Sequence, residues 1–253
     1  LVMSFRLFTE PSARSISFGL APRLNAAGRL EDAALSVELL LADDPARAAA
    51  LAARLDELNE QRKREEAAIV EAAMAAVEAS DLTERRTIVL KSHEWDIGIV
   101  GNAAAKLAEA YNRPTLLFAD DGAGILIGSA RSIQNVDIHE ALKATEDLFL
   151  RFGGHAFAAG VTMEASRFEA FCERFDSTVR AQNDEDAFLP SVGYDMDAEL
   201  VDVTRNLTDE LAMLAPFGEE NVVPVFRTDG VLISGLRRMG TGAHLRFTAG
   251  KKN

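Results

Sequence analysis

The 253-residue sequence contains one cysteine, one tryptophan and four histidines. A lone thiol, Cys172, excludes an intrachain disulfide framework and suits a reducing, cytoplasmic setting. It lies among Phe168, Phe171 and Phe175 on an expected helix and reads as a packing residue. His93, His139, His155 and His244 are spread too widely to give metal-ligand spacing, so no metal site is expected in this chain. No apolar run reaches the roughly 18 residues of a membrane span, and no signal peptide is visible. Basic residues are outnumbered, 27 against 40, and the net charge of -13 argues against indiscriminate binding to nucleic acid.

The distribution of charge is less one-sided. Residues 1–30 carry a net +3 and residues 227–253 a net +5, leaving an acidic body between two basic ends. Such a layout confines a polyanion to particular surfaces, although the acidic segment also reads simply as a solubilising surface. With 48% hydrophobic and 26% charged residues, the chain has the composition of a globular protein with a proper core.

Residues 1–42 mix loop and strand signals before turning helical at Ala33–Leu41. Asp44 and Pro45 form a helix start, and no Gly or Pro follows until after Ala79. A helix of that length is about 50 Å long, more than one small core needs. Leu51, Leu55 and Leu58, then Ile69 and Ala73, form an apolar stripe interrupted by the polar run 60–66. The pattern predicts a bridging helix over 43–85 rather than a coiled coil, whose heptads are not sustained.

From Arg86 to Ala181, strands alternate with helices, which predicts an α/β sheet layered with helices. Strands are expected at 87–90, 114–119, 124–129 and 160–163, and helices at 98–111, 138–152 and 166–180. Residues 182–190 read as a polar, acidic linker. From 191 onward short strand-like runs (192–200, 223–227, 230–236 and 244–248) surround a helix at 208–214, which suits a small β-barrel or part of a sandwich.

Four features carry chemistry. Gly153-Gly154-His155 combines two glycines, which permit close approach, with an imidazole expected to be delivered from a turn. Gly128-Ser129-Ala130-Arg131-Ser132 offers hydroxyls and a planar fork of donors, a set that suits a phosphate monoester. Arg23, Asn25 and Arg29, with Gly28 between them, either line a strand-entry passage or pack beneath the long helix; Asn59 and Arg62 are a similar, weaker case. Gly98 to Asn102 opens a helix and reads as close packing. Gly122, Gly124 and Gly128 fall in a hairpin, so they do not form a dinucleotide fingerprint.

Taken together, Gly153–His155 with Ala158-Ala159-Gly160, Pro22–Leu30, Gly128–Ile133, Glu94–Val100 and Phe217–Pro224 resemble segments of single-strand-specific exonucleases in the DHH phosphoesterase family. Ala130 stands where that family often has glycine. The resemblance implies an α/β fold: a DHH-associated substrate domain joined to a long bridging helix and followed by a partial oligonucleotide-binding (OB) barrel. It also implies that Ser129 and Arg131 recognise the 5′ end of single-stranded DNA, that Gly153 and Gly154 contact substrate, and that His155 orients it towards the metals. Mn²⁺ or Mg²⁺ is implied for the complete enzyme, of the kind that acts in DNA repair and recombination. The Asp-His-His motif of the hydrolytic centre does not occur here, and the chain opens on Leu1. The expectation is therefore an internal piece of a longer protein, inactive alone and partnered by an upstream catalytic domain. The rival readings are a phosphodiesterase of short RNA or cyclic dinucleotides and a non-catalytic replication scaffold of the same fold.

Overall fold

The computed structural model describes residues 12–80, 85–218, 220–240, 242 and 244–251. The chain divides into two compact units, Leu1–Pro190 and Ser191–Asn253.

The first unit begins helically, not with the expected loops and strands; the part of that expectation on residues 1–11 lies outside the described residues. A short turn at Ala13–Ser15 and a π-helical stretch at Ile16–Leu20 run into α1, Ala21–Leu30. Pro22 sits in the first turn of α1, where its missing N–H costs nothing, and Ala26 and Ala27 give a thin buried face. α2 (Ala34–Leu41) follows, and then α3 spans Pro45–Glu78. Asp44 caps α3 by accepting from the backbone N–H groups of Ala46 and Arg47.

The interruption in the α3 stripe has a structural meaning. Leu51, Ala52, Leu55 and Leu58 close one hydrophobic cluster with Ala26, Ala27 and Leu39. Ile69, Ala73 and Val77 close another with the sheet and its first helix. α3 therefore belongs to two cores, with a polar stretch between them.

The sheet has five strands: β1 (Ile88–Ser92), β2 (Thr115–Asp120), β3 (Ile125–Arg131), β4 (Arg151–His155) and β5 (Ala158–Glu164). Their order is β1-β2-β3-β5-β4. Only β1 and β2 are parallel, joined by the crossover helix α4 (Ile97–Tyr111); the other pairs are antiparallel. Between β3 and β4 lies α5 (Ile138–Lys143), and α6 (Phe168–Gln182) follows β5. One face of the sheet packs on α5 and α6 through Leu116, Phe118, Leu126, Val161, Phe171 and Phe175. Cys172 is buried in that core, where burial and then Glu169 push its thiol up to about 12, as befits an inert packing group.

Two expectations need correction here. The helix expected over 138–152 stops at Lys143, where the Thr145 hydroxyl donates to the Leu142 carbonyl. Residues 151–155 are then drawn into β4 by pairing with β5, so Gly-Gly-His lies in an edge strand and not in a turn. The acidic segment 182–190 carries local structure of its own. A 3₁₀ turn at Glu185–Phe188 buries the Phe188 ring, and Arg86 and Arg113 lie over it at 5.8 and 5.5 Å.

In the second unit, a short parallel bridge joins β6 (Met196–Asp197) to β7 (Phe226–Arg227), and a long hairpin joins β8 (Val231–Met239) to β9 (His244–Lys251). α7 occupies Arg205–Ala212, three residues before the expected start, because Thr204 caps it. The strand expected over 192–200 shrinks to β6. Among the described residues no closed barrel forms, consistent with a partial OB fold.

Asp176 on α6 ties the start of β1 to the core. It accepts from the N–H of Arg86 (2.7 Å), the N–H and hydroxyl of Thr87 (both 2.9 Å) and the Arg180 guanidinium (2.9 Å). Burial acts to raise its pKa, but the hydrogen bonds from Arg180, Thr87 and Arg86 outweigh it and hold the carboxyl below its ordinary value. A depressed carboxyl stabilises the fold above the unfolded pKa of about 3.9 and loses that effect as pH falls through the folded value. Asp176→Ala should therefore cost about 2–3 kcal/mol at pH 7, from donors left unpaired. The gap from the unsubstituted protein should narrow below about pH 4. Urea unfolding followed through Trp95, the single tryptophan and a neighbour of the α3–α4 core, measures both.

Candidate nucleic-acid interface

The second face of the sheet is covered on one side only. α4 lies over β2 and β3, and its close approach is set by two glycines. A side chain on Gly98 would collide with the Arg29 backbone carbonyl. A methyl on Gly101 would sit 2.8 Å from Arg131 Nη2 and 2.9 Å from Ser129 Oγ. This is the close packing expected for Gly98–Asn102, and it also positions Arg131.

Arg131 ends β3, and its Nη1 donates to Ser129 Oγ (2.8 Å) and to the Ala130 carbonyl (2.7 Å). Arg29 reaches across from α1 to donate to the Gly98 carbonyl at 2.7 Å. Burial, and then the neighbouring Arg29 cation, push the Arg131 pKa below its ordinary value. A guanidinium nevertheless stays charged in proteins. No carboxylate pairs with either arginine among the described residues. Two cations and a hydroxyl, gathered in a partly buried place without a carboxylate partner among the described residues, are a set whose chemistry suits an oxyanion.

Strand register places the other candidates on the same face. Arg131 and His155 both lie opposite Ala158, and Ser129 and Gly153 both lie opposite Gly160. Residues paired across a sheet, or two apart on a strand, share a face. Arg131, Ser129, Gly160, Gly153 and His155 therefore look the same way, with His155 about 10 Å from Arg131 across two strand spacings. His155 is exposed and closes β4 beside the hairpin turn. Gly153 and Gly160 face open space, so the floor between the arginine and the imidazole is bare backbone. Gly154 points the other way: a side chain there would collide with Ala158 and Ala159, and its φ of 156° is one that glycine tolerates best.

The α1 candidates separate. Arg23 Nε bonds Asp56 of α3 at 2.5 Å and its Nη1 bonds the Gly19 carbonyl at 2.6 Å, which makes it a tether between helices. Gly28 makes room for Ala33, and Asn25 is exposed. Arg29 alone joins Arg131. Asn59 and Arg62 are turned inward to a buried node. There Glu66 meets Arg62, accepts from Asn102 at 3.1 Å and pairs with Lys106 at 2.5 Å. The closeness of Arg29 to Arg131 was not readable from the sequence, where they stand 102 positions apart.

In the second unit, register puts Arg237 directly opposite Arg246, with Arg238 beside them. Like charges facing across a hairpin repel, and none of the three is in an ion pair among the described residues. Among the described residues no three His, Cys, Asp or Glu side chains converge as metal ligands would. No helix among them is long and apolar enough to cross a membrane.

Residues 84–181 match the model of the DHHA1 domain and residues 194–253 that of the RecJ OB domain. The chain therefore carries a DHHA1 domain followed by a RecJ OB domain, and over most of its length it is similar to RecJ. It is 33% identical over 241 residues to the single-stranded-DNA-specific exonuclease RecJ of Bacillus subtilis, covering 94% of this chain and 30% of the relative. It is 36% identical over 222 residues to the Escherichia coli protein of the same name, covering 85% of this chain and 38% of the relative. A crystal structure of RecJ from Thermus thermophilus in complex with Mn²⁺ superposes with a TM-score of 0.84 at 33% identity, over 98% of this chain and 36% of that one. The chain thus spans about a third of the length of these relatives.

If Gly101 sets the position of the Arg131 fork, Gly101→Ala should displace it without unfolding the protein. Alanine gains up to about 1 kcal/mol over glycine within a helix, which offsets the local crowding. The melting temperature should stay nearly constant while binding of 5′-dTMP, followed by calorimetry, weakens at least about ten-fold, as for a lost charge-assisted contact. Unchanged affinity would show that Gly101 plays no part in the site.

Proposed function

We propose that this chain is the substrate-binding part of a RecJ-like exonuclease that degrades single-stranded DNA from the 5′ end. In this reading residues 43–85 bridge from an upstream DHH catalytic domain, 86–181 form the substrate domain, 182–190 connect, and 191–253 give a partial OB unit. The carrying observation is the pair Arg29 and Arg131 beside Ser129, cationic and without a carboxylate.

A terminal phosphate monoester has three exposed oxygens and more negative charge than an internal diester. Arg131 would meet two of these oxygens in one plane, with Ser129 and Arg29 completing the set. The strand would then run over the bare backbone at Gly160 and Gly153. His155, exposed at the end of β4, would donate a proton or hydrogen bond to a phosphoryl oxygen and so orient the scissile group. Gly154 serves by letting β4 approach β5. Asn25 and Arg29 would line the entry side, with Arg23 holding α1 in place. Arg237, Arg238 and Arg246 would hold further phosphates by ionic contacts whose strength falls with salt. Mg²⁺ or Mn²⁺ would supply water activation in the complete enzyme, held by residues of the catalytic domain.

The test compares two substitutions in protein carrying the catalytic domain. Arg131→Ala should lower use of 5′-phosphorylated strands by about 1.5–3 kcal/mol and leave 5′-hydroxyl strands nearly unaffected. Arg131→Lys should rescue only in part, because an ammonium is a point charge. His155→Ala should slow both substrates alike. Equal loss on both ends for Arg131→Ala would remove it as the reader of the 5′ end.

A further inference from the structure

The open face continues past the candidate phosphate site. One step further along the strands, Ile127 of β3 and Arg151 of β4 both lie opposite Thr162 of β5. These three side chains share the face of Ser129 and Gly153 by the same alternation. They form the floor and one wall of a shallow groove of about 330 Å³, whose lining also includes Gly153 and Gly160.

Three properties of this row call for an explanation. Arg151 is exposed and, among the described residues, has neither an ion pair nor a hydrogen bond from its side chain. Ile127 is a large apolar side chain left 38% exposed on a central strand, while the alternate positions Leu126 and Gly128 face the packed core. Thr162 stands between them and offers a hydroxyl. A cation, a hydroxyl and an apolar surface in one row, next to a glycine floor, match the parts of a nucleotide: phosphate, sugar and base.

Geometry fixes which phosphate is meant. The Arg151 row is four residues from the Arg131 row, about 13 Å along the strands. It is also two strand spacings away, so the two arginines are about 16 Å apart diagonally at the backbone. Stacked nucleotides in one strand rise only about 3.4 Å each, so one terminal nucleotide does not span that distance.

We infer that Ile127, Thr162 and Arg151 form a second nucleotide subsite, which grips an internal phosphodiester of the same single strand whose end occupies the Arg131 site. This rests on the proposed function above. The subsite makes affinity depend on strand length: a mononucleotide fills the terminal site alone, and an oligonucleotide fills both.

The test measures binding of 5′-phosphorylated dT1 and dT6 to the 253-residue chain, with Arg151→Ala, Arg151→Lys and Arg131→Ala alongside. The unsubstituted protein should bind dT6 at least ten-fold more tightly than dT1. Arg151→Ala should remove most of that difference, leave dT1 affinity unchanged and reduce the salt slope for dT6 by about 0.7, the value for one phosphate contact on a single strand. Arg151→Lys should keep the salt slope. Arg131→Ala should weaken dT1 and dT6 together. If Arg131→Ala weakens both ligands while Arg151→Ala changes neither, the subsite is wrong and the terminal site stands. If Arg131→Ala changes neither ligand, the reading of the whole face is wrong. Binding of dT6 no tighter than dT1, including no measurable binding of either, also overturns the subsite.

Discussion

Two guanidinium groups held near each other without a carboxylate repel, and packing elsewhere has to cover that cost. Here the covering is visible on both sides. Arg29 is carried by α1, which is fastened to α3 by Arg23 with Asp56 and by the buried faces of Ala26, Ala27 and Leu55. Arg131 closes β3 in the middle of the sheet, under α4. Because Gly98 and Gly101 carry no side chains, α4 sits low enough to accept Arg29 on one carbonyl and to border the Arg131 fork. A side chain at Gly98 would push α4 off the Arg29 backbone, and one at Gly101 would displace the Arg131 fork, so either would let the two charges part.

The long helix is held to α4 by an unusual contact for a hydrophobic interface. Glu66 is buried, and burial acts to raise its pKa, yet Lys106, Asn102 and Arg62 together hold it below its ordinary value. Lys106 and Asn102 are four apart, so one carboxylate grips a full turn of α4. An apolar contact would be satisfied by several helix registers, whereas this one has a single geometry. Buried ion pairs add little net stability, and selecting one arrangement is their best-attested use.

The sequence made the large features of the fold readable, for physical reasons that can be traced. Asp44 and Pro45 announce α3 because capping is local, and the alternation of strands and helices from 86 to 181 reflects side-chain periodicity. The failures arose where tertiary pairing overrode local preference. Phe152-Gly153-Gly154 has no strand signal of its own and became β4 because β5 offered an unpaired edge. The segment around Pro22–Leu30 reads as loop from its proline and glycine, yet packing on α3 makes it helical. For the candidate site, Ser129, Arg131 and His155 were visible as motifs. Their common face depended on register, and the partnership of Arg29 with Arg131 depended on the placement of α4. Arg151 was hidden for a plainer reason: an exposed arginine beside a glycine pair has no pattern to mark it.

Gly153 and Gly160 carry a consequence for how this surface can change over time. Both occupy strand positions, where glycine gives up β-propensity and side-chain packing, yet a side chain at either would meet no neighbouring atom. Folding therefore gives no reason to keep them, and a β-branched residue at either position would make a firmer sheet. Improvement in thermal robustness and preservation of a bare floor pull in opposite directions at these two sites. Selection for stability alone would fill the groove, so under the proposed function the two glycines trade a firmer sheet for a surface that a nucleic-acid backbone can lie against.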